Sequence, residues 1–171
     1  MWRHGKLGIL VVDDEKSVLA TYALILQKQG YAVQTAISSV EAKDILDQHE
    51  FDLLLCDYSL EQERTGFEVI DYARKKTPGV KAVLLTGYAS KETADQAKDN
   101  DIQVLYKPID IQEFFETIGT LLGKNYASNK ESVARQEKGG VGKEHGKEGT
   151  KNSGQSGTGT GGRSRPVRRS Q

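Results

Sequence analysis

The sequence predicts an α/β domain with a doubly wound, five-stranded parallel sheet and helices on both of its faces. Short apolar runs alternate with segments of helical period five times between residues 7 and 123, and the connections are short. Because right-handed crossovers join parallel strands, few other arrangements of such a chain are possible. Five strands are too few to close an eight-stranded barrel, so the predicted sheet is open.

The first half of this domain contains three predicted strands and two helices. The strands are predicted at residues 7–12, 32–35 and 51–56, of which the first and third are largely apolar. A helix predicted at 16–29 has its apolar side chains on one face and ends at Gly30. The next helix begins after Ser38, which is followed three residues later by Glu41 in a capping pattern. We expect this helix to turn three apolar side chains inward, namely Val40, Ile45 and Leu46.

The second half contains two predicted strands and three helices. The strands lie at residues 80–85 and 102–106, and the first two helices at 66–75 and 90–98. The helix at 90–98 has only two apolar anchors, so we expect it to be the least stable element. These anchors are Ala94 and Ala97. The last helix opens with an Asp110 to Glu113 capping pattern and carries a broad apolar stripe, which leaves open a surface for dimerisation or an effector. The stripe comprises Ile111, Phe114, Phe115, Ile118, Leu121 and Leu122.

Composition divides the chain into a short extension at 1–6, a domain at 7–123 and a tail at 124–171. Basic and acidic side chains balance at 24 each over 171 residues, which gives no whole-chain reason to expect a nucleic acid or an anionic membrane as partner. The segment from Lys130 onward contains ten basic and four acidic side chains, so it carries a net charge of +6 and the rest of the chain −6. Its Gly-, Ser-, Lys- and Arg-rich composition predicts disorder, with weak, charge-driven contact to nucleic acid or an acidic partner left open.

Cysteine usage and the start of the chain indicate a cytoplasmic protein. Cys56 is the only cysteine, which excludes an intrachain disulfide, and it is expected to be a buried packing thiol. The apolar run at 7–12 stops at Asp13 and is too short for a signal sequence or a membrane span.

Charged side chains follow three of the predicted strands. Asp13 and Asp14 follow the first, Asp57 the third and Lys107 the fifth. The carboxyl ends of parallel strands meet at one edge, so these groups are expected to converge. Clustered carboxylates favour a hard cation such as Mg²⁺, and with that ion bound one of them can act as a nucleophile toward a phosphoryl group. Thr86, after the fourth strand, could donate a hydrogen bond to that group.

Each assignment has a simpler alternative. Asp13 and Asp14 could cap the first helix, where acids are favoured by the helix dipole. Thr86 and Ser59 could be turn residues, and Lys107 a solvated loop lysine. The shared register of the acids and the lysine at strand ends favours a site.

Taken together, four motifs resemble the receiver domain of two-component response regulators over residues 7–123. They are Val11-Val12-Asp13-Asp14-Glu15, Leu54-Leu55-Cys56-Asp57, Leu84-Leu85-Thr86-Gly87 and Tyr106-Lys107-Pro108. The resemblance implies a flavodoxin-like (βα)5 fold, phosphorylation of Asp57 by a sensor histidine kinase or phosphotransfer protein, and a metal site for Mg²⁺. The implied metal site comprises Asp13, Asp14, Asp57 and the backbone carbonyl of Ser59, with Asp14 binding directly and Asp13 acting mainly through a metal-bound water. Thr86 and Lys107 would contact the phosphoryl group, and the Lys107-Pro108 bond would be cis.

The sequence departs from the family pattern at the positions that would govern switching. Val104 stands where many members have an aromatic residue. Tyr106, on the same strand face, could substitute for that residue in part, or switching could proceed without it. The loop after Asp57 has Glu61 in place of a common proline, and is expected to be longer, more acidic and less constrained. Tyr88, two residues past Thr86, is expected to shield the acyl phosphate.

We therefore expect a single-domain response regulator that is not a metabolic enzyme and signals to an effector of unknown identity. The expected form is a monomer or a weak homodimer, with no membrane association. The alternative is a receiver-like interaction module that is not regulated by phosphorylation.

Overall fold

The computed structural model describes residues 2–124 and contains one parallel sheet covered by five helices. The strands are β1 (Gly8–Val12), β2 (Ala32–Ala36), β3 (Leu53–Asp57), β4 (Lys81–Thr86) and β5 (Gln103–Tyr106). The helices are α1 (Lys16–Lys28), α2 (Ser39–Gln48), α3 (Gly66–Lys76), α4 (Lys91–Asp99) and α5 (Ile111–Leu121). The strand order is β2-β1-β3-β4-β5, which confirms the doubly wound parallel sheet.

The sheet separates two apolar clusters, one under each layer of helices. Alternate residues of the buried strands β1 and β3 point to opposite faces, as the pleat requires. On one face Ile9 and Leu53 pack with α1 and α5, and on the other Leu10 and Leu54 pack with α2, α3 and α4. Both faces of the central strands are therefore covered, which explains why these strands read as continuous apolar runs.

Side-chain caps begin three of the helices. The Ser38 hydroxyl accepts the Glu41 backbone N–H, and the Asp110 carboxylate accepts the Glu113 N–H, as the capping patterns predicted. Ser90 caps α4 in the same way by accepting the Thr93 N–H. Each cap satisfies one of the N–H groups that a helix start leaves without an intrahelical partner.

The prediction that Val40 points inward is wrong. Its side chain is 56% exposed, while Ser39, Ala42 and Leu46 form the buried stripe of α2. Val40 lies one residue, about 100° of helix rotation, away from Ser39, so burying one exposes the other. Ile111, at the start of the α5 stripe, is exposed for the same reason, because that helix packs through Phe114 and Ile118.

α4 has a polar anchor that the apolar pattern did not indicate. Thr93 is buried beside the fully buried Ala97, and Arg74 of α3 donates hydrogen bonds to the backbone carbonyls of Asn100 and Asp101 just after α4. The low stability expected of α4 stays a prediction.

Residues at the start of the described chain cover the amino-terminal edge of the sheet. The Trp2 ring lies 5.0 Å from the Phe51 ring, and Arg3 pairs with Asp52 at 2.5 Å. Asp52 also accepts the Gly8 N–H at 2.7 Å.

None of the helices between residues 2 and 124 is long and apolar enough to cross a membrane. The predicted tail lies outside the described residues apart from Lys124.

Candidate functional site

Three carboxylates meet at the carboxyl edge of the sheet. Asp13 and Asp14 follow β1, and Asp57 is the last residue of β3, the parallel neighbour of β1. One oxygen from each carboxylate lies within 4.8 Å of the others. Asp13 and Asp57 are buried, whereas Asp14 is exposed. The register of two strands thus places three carboxylate oxygens around one point, so the predicted convergence of these acids is present.

Lys107 contacts these acids from the end of β5, an edge strand of the sheet. Its Nζ lies 2.9 Å from Asp57 Oδ2 and 3.3 Å from Asp13 Oδ2. The residue follows β5, and its backbone N–H donates to the Thr86 carbonyl at 2.7 Å. The Lys107-Pro108 peptide bond is cis. One ammonium group therefore bridges two carboxylates that are 44 residues apart in the chain.

Backbone N–H groups fix the remaining oxygens of the buried acids. Asp13 Oδ1 accepts the Glu15 N–H at 2.9 Å, and Asp57 Oδ1 accepts the Ser59 N–H at 3.2 Å. Each buried carboxylate thus presents one oxygen to its own loop and the other to Lys107. This arrangement sets the orientation of both groups before any ligand binds.

The site disfavours negative charge on Asp57. Burial raises the pKa of the Asp57 carboxyl, the hydrogen bond and charge of Lys107 lower it, and the Asp13 charge raises it again, so the net direction is upward. Burial lowers the pKa of Lys107, but contact with Asp57 and Asp13 raises it overall. A bound cation would relieve the repulsion among the acids. The donor set therefore fits Mg²⁺, which prefers carboxylate oxygens and retains waters.

Thr86 completes the edge from β4. Its buried hydroxyl donates to the Tyr88 carbonyl at 2.6 Å and accepts the Tyr88 N–H at 3.2 Å. The hydroxyl is therefore engaged by its own loop. The Tyr88 side chain is 80% exposed, and its expected shielding role stays a prediction.

Comparisons with known proteins agree with this geometry. The family model described as the response regulator receiver domain matches residues 9–119. The chain belongs to the response regulator receiver family. Its sheet order and five helices are those of the flavodoxin-like fold, and the motif resemblance is thereby confirmed.

Curated relatives of this receiver chain include longer regulators. The transcriptional regulatory protein ZraR of Escherichia coli K12 is 31% identical over 132 residues, covering 77% of this chain and 30% of ZraR. The alginate biosynthesis transcriptional regulatory protein AlgB of Pseudomonas aeruginosa is 34% identical over 101 residues, covering 58% of this chain and 22% of AlgB. The chain thus spans less than a third of the length of these relatives.

Solved structures similar to this chain include a receiver domain and a response regulator. A CheY-like receiver domain protein of Methanospirillum hungatei has 30% identity and a TM-score of 0.62, covering 80% of this chain and all of the other. A Burkholderia pseudomallei response regulator, solved with a phosphorylated aspartic acid, a calcium ion and citrate, has 28% identity and a TM-score of 0.60. That match covers 77% of this chain and 75% of the other.

The receiver has a groove where the family pattern places an aromatic side chain. Val104 is half-buried against the core on the α4 side, and Tyr106, on the same face, is 53% exposed. A groove of about 330 Å³ lies between α4 and β5, lined in part by Ala94, Lys98, Val104 and Tyr106. The shared face was predicted; the role of Tyr106 in switching stays a prediction.

The expectation that the loop after Asp57 is less constrained is wrong. Ser59 pairs with Thr65 in an antiparallel bridge, and the Leu60 N–H donates to the Arg64 carbonyl at 2.9 Å. Leu60 is buried, and the Gly66 N–H donates to the Tyr58 backbone carbonyl at 3.0 Å. A Cβ on Gly66 would lie 2.5 Å from the Asp57 carbonyl oxygen, so glycine is required where this loop returns. The loop is a closed hairpin.

Two features of this region escaped sequence reasoning. Glu61 hydrogen-bonds Ser39 across 22 residues, a contact for which neither local spacing nor periodicity gives a signal. A groove of about 460 Å³ also lies beside the acids between α1 and the segment after β5, with Tyr22, Ile25 and Pro108 in its wall.

Cys56 is buried, as the sequence predicted. Burial raises the pKa of its thiol, which keeps the thiol protonated.

Proposed function

We propose that Asp57 accepts a phosphoryl group from the phosphohistidine of a sensor histidine kinase or phosphotransfer protein. The observation that carries this proposal is the cluster of Asp13, Asp14 and Asp57, with Lys107 bound to two of them. An Asp57 carboxylate oxygen forms the new P–O bond while the P–N bond to the donor imidazole breaks, and its electron pair returns to the imidazole nitrogen. The product is an acyl phosphate on Asp57.

The proposed metal ligands are the three carboxylates and the Ser59 carbonyl. Mg²⁺ bound there supplies positive charge to the phosphoryl oxygens and relieves repulsion among the acids. Asp57 Oδ2 is held by Lys107 in the free protein, so this ammonium group must shift its hydrogen bond toward the incoming phosphoryl oxygens. Positioning and charge neutralisation are most of what phosphoryl transfer requires.

Switching is proposed to begin at Thr86. Its hydroxyl would exchange the Tyr88 carbonyl for a phosphoryl oxygen, and this exchange would draw the loop before α4 toward Asp57. The surface formed by α4 and β5, with Tyr106 exposed on it, is the proposed protein-interaction face for the effector. Tyr88 would limit access of water to the acyl phosphate.

The wider setting is proposed on the same basis. Receiver domains are signalling modules, and this one is proposed to assist its own phosphorylation and dephosphorylation and to have no metabolic activity. Action as a single-domain regulator, a cytoplasmic location and a monomeric or weakly dimeric state are proposals that follow from the sequence.

Mass spectrometry after incubation with Mg²⁺ and acetyl phosphate tests the chemistry. We expect a phospho-adduct on the wild type and on Asp71→Asn, an exposed aspartate of α3 that serves as the matched control. Asp57→Asn should remain unmodified. Adducts on all three proteins would reject Asp57 as the acceptor. Absence of an adduct on the wild type, with acetyl phosphate and with a cognate phosphohistidine donor, would favour the unphosphorylated interaction module.

A further inference from the structure

Glu61 connects the hairpin after Asp57 to the start of α2. Its Oε1 accepts the Ser39 backbone N–H at 2.8 Å and the Ser39 hydroxyl at 2.7 Å. Both donors belong to the first residue of α2, whose N–H groups have no intrahelical partner. Oε2 of Glu61 is also buried and has no hydrogen-bond partner among the described residues. A long charged side chain is thus held in one place by a neighbouring element.

This contact lies on a short path to the proposed metal ligands. On the hairpin side, Ser59 is two residues before Glu61 and pairs with Thr65. The other side of the contact is Ser39, three residues after Ala36, whose carbonyl accepts the Asp13 backbone N–H at 3.2 Å. The contact between Glu61 and Ser39 therefore links the loop that contains Ser59 to the end of β1, which Asp13 follows.

The tip of the hairpin needs such support. Gln62 and Glu63 have φ angles of 54° and 60°, a conformation that residues with a Cβ rarely adopt. The Arg64 N–H donates to the Glu61 carbonyl at 3.0 Å and closes the turn over them. A turn of this kind relaxes readily unless its neighbours hold it.

We propose that Glu61 is a positioning residue that fixes the Ser59 carbonyl for the bound metal by tying the hairpin to α2. The inference rests on the proposed function, because it assumes that Ser59 is a ligand of Mg²⁺. Residues that orient metal ligands commonly change metal affinity by 10- to 100-fold when removed. Glu61 acts on Ser59 through one intervening residue, Leu60, so we expect an effect near the lower end of that range.

Mg²⁺ titrations by calorimetry and by amide NMR shifts test the proposal. Glu61→Ala should weaken Mg²⁺ binding by about 10-fold. Glu61→Gln should bind within about 2-fold of the wild type, because its amide oxygen can accept the same two hydrogen bonds. The matched control is Glu63→Ala, which removes an exposed carboxylate from the same hairpin and should leave the affinity unchanged. Ser39→Ala, which removes one of the two donors, should give an intermediate loss.

The outcomes separate this inference from the proposed function. Equal Mg²⁺ affinity in Glu61→Ala and Glu63→Ala, with a wild type that binds Mg²⁺ and becomes phosphorylated, would overturn the positioning role alone. An equal loss in Glu61→Gln and Glu61→Ala would show that charge, and not hydrogen bonding, sets the affinity, and would also overturn it. A wild type that binds no Mg²⁺ would overturn both. Retention of the Ser39 and Ser59 amide shifts in Glu61→Gln, together with their displacement in Glu61→Ala, would support it.

Discussion

Replacing Asp57 with asparagine should stabilise the fold when no divalent ion is present. Two unit charges 4.8 Å apart repel by roughly 3.5 kcal/mol at an effective dielectric constant of about 20, and by about 1 kcal/mol at 80. Asp57 experiences this repulsion from two neighbouring acids, and Lys107, at 2.9 Å, offsets much of it. The raised pKa of Asp57 indicates that burial and repulsion by the neighbouring acids outweigh the attraction of Lys107. We therefore expect Asp57→Asn to gain on the order of 1 kcal/mol in unfolding free energy at pH 7.

Urea unfolding provides the assay, with the fluorescence of Trp2, the only tryptophan, as the probe. Trp2 packs on Phe51 at the opposite end of the sheet, so the substitution does not touch the reporter. In excess EDTA, Asp57→Asn should have the higher midpoint. With Mg²⁺ at 100 times its dissociation constant the wild type should gain about 2.7 kcal/mol, the variant much less, and the order should reverse.

The pH dependence supplies a second condition. A carboxyl whose folded pKa is raised lowers stability as the pH rises above 3.8, its ordinary value, and the loss is complete above the folded pKa. The stability gap between variant and wild type should therefore be absent below pH 3.8 and should open as the pH rises. An Asp57→Asn protein less stable than the wild type in EDTA at pH 7, or equally responsive to Mg²⁺, would refute the electrostatic reasoning. Asp71→Asn, on the exposed side of α3, should show neither effect.

Three further substitutions test neighbouring features. Tyr88→Ala should shorten the half-life of the phosphorylated protein, measured by decay of the phospho-adduct, and an unchanged half-life would remove the shielding role. Glu63→Gly should raise the free energy of unfolding, measured in urea, by up to about 1 kcal/mol, because glycine adopts the left-handed backbone conformation of this position without strain. A free energy of unfolding below that of the wild type would mean that the hairpin tip is unstrained. Trp2→Ala should cost about 2 kcal/mol by thermal or urea unfolding observed by circular dichroism, since the ring is half-buried against Phe51, and a cost near zero would show that the extension does not pack in solution.

Features carried by local chemistry were readable from the sequence. Apolar runs marked the strands, and the Ser38 and Asp110 caps marked helix starts, because both signals involve neighbouring residues. The meeting of Asp57 with Lys107 was also predictable, because parallel strands bring their carboxyl ends to one edge regardless of the chain between them.

Contacts between elements could not be read in this way. Helical periodicity placed Val40 near the buried stripe of α2 but could not tell which of two adjacent positions the sheet would cover. Thr93 is polar, so its burial in α4 gave no apolar signal. Nothing local showed that the hairpin after Asp57 would close on itself.

The sequence alone determined the strand and helix order, the family and the edge at which the acids gather, because these depend on periodicity, motif and parallel register. Tertiary structure alone decided that Glu61 reaches Ser39 and that the Thr86 hydroxyl binds the Tyr88 carbonyl. Such hydrogen bonds need atoms placed within a few tenths of an ångström. Only the packing of the whole domain fixes positions that closely.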